Sequence, residues 1–260
     1  FPALAPRPVS GGVSSIRGVR VPTGTRPDRH ASRPACVPNG MRSEPQASRN
    51  HGANGRSMGT VLLVRHGETT WNRDGKIQGW ADSALTDRGR RQARALGDRL
   101  AGAVDRLVVS NLARTRETAA VLADAGVDAS SSVAEAWRER DFGAYQGLTR
   151  SEIAARHPTF DPDDSLIAVE SVPEGESRAA LTARVEAGLD ALETALEPGE
   201  TAVVVTHGGP IRVALASVTG RALPALASEW SPDNCGVTAL DLDGARSVVT
   251  RDDTTHLDPL

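Results

Sequence analysis

The feature that most restricts how this chain can fold is an apolar run that stops on an arginine and a histidine, Leu63-Val64-Arg65-His66-Gly67-Glu68-Thr69. Its first part, Val61-Leu62-Leu63-Val64, is short, continuous and β-branched at both ends, which reads as a parallel strand buried on both faces. A second run, Ala202-Val203-Val204-Val205-Thr206, also ends in a histidine and a glycine, His207-Gly208. Between them Leu107-Val108-Val109 ends at Ser110-Asn111, with Arg114 in the first turn of the helix that follows. Ligands of open α/β sheets collect at the carboxyl ends of such strands. Three strand ends therefore deliver two histidines and two arginines toward one crevice, an anion site made of side chains. A single Arg-His pair at a strand end would be an ordinary surface feature, and it is the second His-Gly strand that changes that reading. Gly67 is read as the residue that lets a ligand approach the backbone.

Between the strands the apolar spacing turns helical. Thr86 or Asp87 caps a helix on which Ala93, Leu96 and Leu100 recur, ending near Gly102. Further helices are expected from Ala113 to Ala125, from Thr149 with Glu152 as a capping box to just before Pro158, from Ser177 to Leu196, and over Ile211 to Val218. A lid-like loop is expected over 159–176, and two strands near 235–242 and 246–251 are expected to form a hairpin around Asp243-Gly244. The alternation of strand and helix implies a mostly parallel sheet with helices on both faces, a three-layer α/β sandwich.

Residues 1–57 are of another kind. They hold nine arginines against one Asp and one Glu, many of the prolines and no apolar periodicity, and are expected to be disordered or non-native. Met58 stands just before the first strand, so the segment reads as upstream sequence, as an Arg- and Ser-rich transit peptide, or as a basic arm for nucleic acid or an acidic surface. Residues 58–260 suit one domain with a sizeable core. They carry 21 basic against 31 acidic residues, with Lys76 the single lysine of the chain. Such a balance fits a high-salt cytoplasm or a GC-rich genome, argues against nonspecific nucleic-acid binding by the folded domain, and leaves an anionic substrate to a local basic pocket. Cys36 and Cys235 lie far apart and suggest neither a disulfide framework nor a zinc cluster. A reducing, cytoplasmic setting and no membrane insertion are expected. Two histidines and a glutamate are a conceivable zinc set, but two arginines beside them would repel the cation, so no metal and no cofactor are expected.

Four motifs in order carry a resemblance. The run around His66, Ser110-Asn111-Leu112-Ala113-Arg114-Thr115-Arg116-Glu117-Thr118-Ala119, Arg138-Glu139-Arg140-Asp141-Phe142-Gly143 and Val205-Thr206-His207-Gly208-Gly209 together resemble the histidine phosphatase superfamily, the phosphoglycerate mutase-like enzymes, over 59–251. The resemblance implies a phosphoglycerate mutase-like fold and a small phosphorylated metabolite as substrate. It implies that His66 attacks phosphorus and becomes a phosphohistidine, and that Glu139 protonates the departing alcohol. Arg65, Arg114 and His207 would hold the phosphoryl oxygens, joined by Asn72 and Gly208, with Gln78 a weaker candidate. Arg116 is read as a solvated surface residue. Trp71, Trp80, Trp137 and Tyr145 either line a pocket for an apolar leaving group or cap the core.

Three functions follow. A metal-independent phosphomonoester hydrolase leads, because the stretch between Glu139 and His207 is shorter than in the glycolytic mutases of the family and less structure covers the phosphoenzyme. A phosphoglycerate mutase, which must exclude water, comes second. A non-catalytic binding protein comes third. Oligomeric state is not legible in the sequence.

Overall fold

The computed structural model describes residues 59–242 and 244–258. The basic segment 1–57, and Asp243 of the expected hairpin turn, lie outside the described residues. Strand β1 (Thr60–Arg65) leads through the short α1 (Thr70–Arg73) to α2 (Asp87–Leu100), β2 (Arg106–Val109), α3 (Ala113–Asp124) and β3 (Ser130–Val133). Two single-turn 3₁₀ helices, Glu135–Trp137 and Gly143–Tyr145, precede α4 (Arg150–Arg156) and α5 (Arg178–Ala195). Then come β4 (Thr201–Thr206), α6 (Gly208–Thr219), α7 (Leu223–Glu229), β5 (Val237–Asp241) and β6 (Ser247–Asp253). The sheet has six strands in the order β3-β2-β4-β1-β5-β6. The first four positions pair in parallel, whereas β5 runs antiparallel to β1 and β6 antiparallel to β5.

The apolar runs form strands because both faces of the sheet are covered. Along β4, Ala202 and Val204 face the layer of α5 and α6, where Leu181, Val185, Leu189, Ile211 and Leu215 are buried. Val203 and Val205 face α2 and α3, with Ala93, Leu96, Ala119 and Leu122. A strand buried on two sides has no polar face to show, hence the unbroken hydrophobic run. Each such Leu or Ile contributes on the order of 2 kcal/mol through burial. The helix starts follow their caps: Thr86 accepts from the Gly89 amide, and Thr149 with Glu152 closes a capping box on α4.

Three features differ from the sequence reading. β3 has the sequence SSSV and all four of its residues are exposed, so no apolar alternation marks it. It is held by backbone pairing at the sheet edge, where short polar strands are favoured. Gly67 is required for packing: a Cβ there would lie 2.5 Å from the Gly89 carbonyl oxygen, where the turn after β1 crosses the start of α2. Residues 159–176 bury Phe160, Leu166, Ile167 and Val172 in the core, so the segment is a packed wall rather than a free lid. Arg140, fully buried, secures this wall by donating to the carbonyls of Leu166, Val169, Glu170 and Glu176.

Candidate active site

The register of the parallel strands sets the site. Arg65 pairs with Thr206 and Val109 with Val205, so β1, β4 and β2 end level with one another. The residues that follow, His66, His207 and Ser110, therefore meet at one end of the sheet, with the two imidazole centroids 5.2 Å apart and their planes tilted by 59°.

Hydrogen bonds assign the tautomer of each ring. His66 Nδ1 lies 2.8 Å from the Gly67 carbonyl oxygen. A carbonyl only accepts, so Nδ1 carries the proton and Nε2 keeps its lone pair. Burial, then Arg114 and Arg65, push the His66 pKa well below the usual 6.5, which keeps the ring neutral. His207 caps α6 and is fully buried. The Arg114 Nε donates to its Nδ1 at 3.2 Å, so Nε2 carries the hydrogen and donates to Ser110 Oγ at 2.9 Å. Burial, then Arg114 and His66, lower the His207 pKa as well.

Around His66 opens a cleft of about 410 Å³, lined among others by Arg65, Asn72, Gln78, Arg114, Glu139 and Gly208. The same cleft is lined by Lys76, Arg150 and Arg212, which sequence reasoning did not single out. Arg114 is 1% exposed and gives its two Nη groups to the carbonyls of Ala81 and Gly79, at 2.9 and 2.6 Å. Its burial lowers the pKa to about 10, Glu139 and Asp82 opposing. Arg65 donates from Nη1 to the Pro232 carbonyl at 2.6 Å, while its buried Nε has no partner among the described residues.

Glu139 is held at both ends. Its Oε1 accepts from the Arg140 amide at 2.8 Å and its Oε2 from the Gly209 amide, at the start of α6, at 3.2 Å. Its backbone carbonyl accepts from Trp80 Nε1 and from Arg184 Nη2, each at 2.8 Å. Arg184 also grips the carbonyls of Ala136 and Arg138 and pairs with Glu176. A side chain at position 209 would run into this carboxylate, since a Cβ there would lie 2.1 Å from Glu139 Oε1. That clash gives the second glycine of the His-Gly-Gly motif a steric reason.

Asn72 sits in the first turn of α1, where its Oδ1 accepts from the Thr69 backbone and hydroxyl and from Asn234 Nδ2. That leaves its own amide NH₂ as the donating group at the cleft. Gln78 is buried at the cleft wall and accepts from Ser83. Arg116 is exposed. Of the four aromatics, Trp137 and Tyr145 are core residues; Trp80, 39% exposed, stacks under Arg138, and none of the four lines the cleft. Among the described residues no group of three or more His, Cys, Asp or Glu is arranged to hold a metal ion. No helix there is long and apolar enough to cross a membrane.

A six-stranded, mostly parallel sheet with a buried neutral histidine, arginines and a carboxylate at its carboxyl end defines a class, and comparison with known proteins agrees. The chain belongs to the histidine phosphatase superfamily (branch 1), whose family model matches residues 61–254. It is 34% identical to a probable phosphoglycerate mutase GpmB of Klebsiella pneumoniae, over 76% of this chain and 94% of the relative. Among solved structures it is similar to Bacillus stearothermophilus YhfR, with a TM-score of 0.71 and 30% identity over 77% of this chain and all of that one. It is also similar to the mycobacterial glucosyl-3-phosphoglycerate phosphatase, with a TM-score of 0.62 and 27% identity over 74% of this chain and 98% of that one.

Proposed function

We propose that this enzyme is a metal-independent phosphomonoester hydrolase that works through a phosphohistidine on His66, on a small phosphorylated metabolite. The observation that carries the reading is the tautomer of His66. Its Nδ1 is tied to the Gly67 carbonyl, and Nε2 is left as an unprotonated nucleophile in a cleft lined by arginine. Attack by Nε2 on phosphorus expels the alcohol in line and transfers the phosphoryl group to the ring. Glu139 supplies the proton that the leaving oxygen needs, then takes one from the water that attacks the phosphohistidine and returns the ring to its starting form.

The phosphoryl oxygens face groups already in place. Arg65 offers a buried Nε–H without another partner among the described residues, a donor that costs about 1–3 kcal/mol when left unsatisfied. Arg114 brings positive charge with its orientation set by Gly79, Ala81 and His207. The Asn72 amide and the Gly208 amide at the start of α6 complete the cradle, the helix end favouring an anion. His207 acts first by orienting Arg114, and it reaches a phosphoryl oxygen when its Nε2–H exchanges Ser110 for that oxygen.

The mutase reading is favoured by the curated relatives, which are named probable phosphoglycerate mutases. The same phosphohistidine serves both reactions, and they part at the second step, where water or a second hydroxyl takes the phosphoryl group. A screen of phosphorylated metabolites against the full chain, with chelator present, at low and high salt, separates them. Stoichiometric release of inorganic phosphate is the expected result. Isomerised product with little phosphate release, dependent on a bisphosphate, would establish the mutase instead.

A further inference from the structure

Arg212 is the fifth residue of α6, and its guanidinium is folded back along its own helix. Its Nη1 lies 3.7 Å from the point that a Cβ on Gly208 would occupy, so the charge sits over the first turn and lines the cleft. Only its Nε is used, donating to the Trp230 carbonyl at 2.7 Å. Neither Nη group has a hydrogen-bond partner among the described residues. Arg114, Arg140 and Arg184 differ, each spending both Nη groups on backbone carbonyls or a carboxylate, and only Arg65, at the phosphoryl end of the cleft, keeps donors open in the same way among these arginines of the described residues.

This is a poor place for a cation if stability were its purpose. The start of a helix carries the positive end of the macrodipole and disfavours a nearby positive charge. Burial lowers the Arg212 pKa to about 10, with Glu139 opposing and Arg65 and Arg150 pushing the same way as burial. A fork of free N–H groups held in such surroundings suits an incoming anion.

Its position says which anion. Glu139 is bonded to the Gly209 amide, one residue along from the glycine that Arg212 covers. Glu139 and Arg212 line the same cleft, so the alcohol whose ester oxygen Glu139 protonates leaves through a space that Arg212 borders. We infer that Arg212 selects phosphomonoesters whose leaving alcohol carries a carboxylate close to the ester oxygen. This rests on the phosphatase reading above. Arg150, anchored by Nη1 on the carbonyls of Pro162 and Asp164, and Lys76 extend the same positive wall.

Matched substrate pairs test it with the full-length enzyme. 3-Phosphoglycerate and glycerol 3-phosphate differ by a carboxylate in place of a hydroxymethyl group, and phosphoserine and phosphoethanolamine by a carboxylate in place of hydrogen. The wild-type enzyme is expected to prefer the carboxylate member of at least one pair by about 10- to 100-fold in kcat/KM, the range of a charge-assisted contact. Arg212→Gln is expected to abolish that preference, lowering kcat/KM on the carboxylate member by more than on its partner or on p-nitrophenyl phosphate, and Arg212→Lys to keep part of the preference. Absence of a carboxylate preference in both pairs overturns the inference, and needs no variant to be seen. An equal loss on every substrate in Arg212→Gln also overturns it, assigning the residue to the transferred phosphoryl group. No turnover of any phosphoester by the wild-type enzyme would instead strike the hydrolase reading itself.

Discussion

Two strand ends of this sheet carry the same short pattern, an apolar run followed by histidine and glycine, yet they have been put to different uses. At the end of β1, His66 gives one nitrogen to its own neighbour's carbonyl and keeps the other free. At the end of β4, His207 has both nitrogens engaged, one by Arg114 and one by Ser110. The glycines differ too: Gly67 makes room for the backbone of α2, whereas a Cβ on its counterpart Gly208 would meet Arg212 and Pro232 only at ordinary contact distance, and it is the following Gly209 that makes room for the Glu139 carboxylate. The lesson is that residue type and strand position place an imidazole, and its hydrogen-bond partners decide whether it can be a nucleophile.

The sharpest way to break this comparison is to remove each ring in turn. His66→Ala is expected to lower kcat by at least about 10⁴-fold with folding intact, because no other nucleophile can take its place. His207→Ala should cost about 10²- to 10³-fold, the usual loss when a preorganised charge-stabilising group is disturbed. Equal losses in the two variants, measured with p-nitrophenyl phosphate, would mean that the rings share one role.

Glu139 is separated from both histidines by its leaving-group dependence. Glu139→Gln should slow alkyl phosphates by about 10²- to 10⁴-fold and p-nitrophenyl phosphate far less, since a phenolate departs without help. A uniform loss across leaving groups would place the carboxylate elsewhere in the mechanism.

The pH dependence of stability sharpens the pair further. Both rings are held neutral in the fold, mainly by burial, with folded pKa values well below 6.5. Below 6.5 the unfolded chain binds protons that the folded one refuses, so stability is full above that pH and falls as pH drops through it. The slope is up to about 1.4 kcal/mol per pH unit for each ring. His256, lowered by burial and then Arg99, adds to the same trend. Urea midpoints from pH 8 to 5 should show the slope reduced in His66→Ala and in His207→Ala, and an unchanged slope in either would mean that ring is protonated in the fold.

The smallest effect concerns Ser110. Ser110→Ala should destabilise the free enzyme by about 1 kcal/mol, by leaving the His207 Nε2–H without its partner, and lower kcat by roughly tenfold, by loosening the ring before it turns to the phosphoryl oxygen. A change in stability without any change in kcat would limit Ser110 to a structural role.

The strand ends are legible in the sequence because a doubly buried strand shows an unbroken apolar run and the residue after it must lie at the crevice. Arg65, His66, Arg114, Glu139 and Asn72 line the cleft, while His207 lies fully buried behind it. Arg212, Arg184 and Arg140 were not foreseeable in that way. Their partners are carbonyls contributed by distant segments, and a carbonyl leaves no mark in a sequence. Arg212 alone had a faint signal, standing one helical turn from Gly208 on the same face. β3 was hidden for the converse reason, being a strand that buries no side chain.

The central claim is tested most directly by rapid acid-free quench of the enzyme turning over a ³²P-labelled phosphomonoester, followed by peptide mapping. The expected result is an acid-labile, base-stable label on the peptide containing His66, lost in His66→Ala and retained in His207→Ala. An acid-stable label, or one that maps to any other residue, would contradict the account.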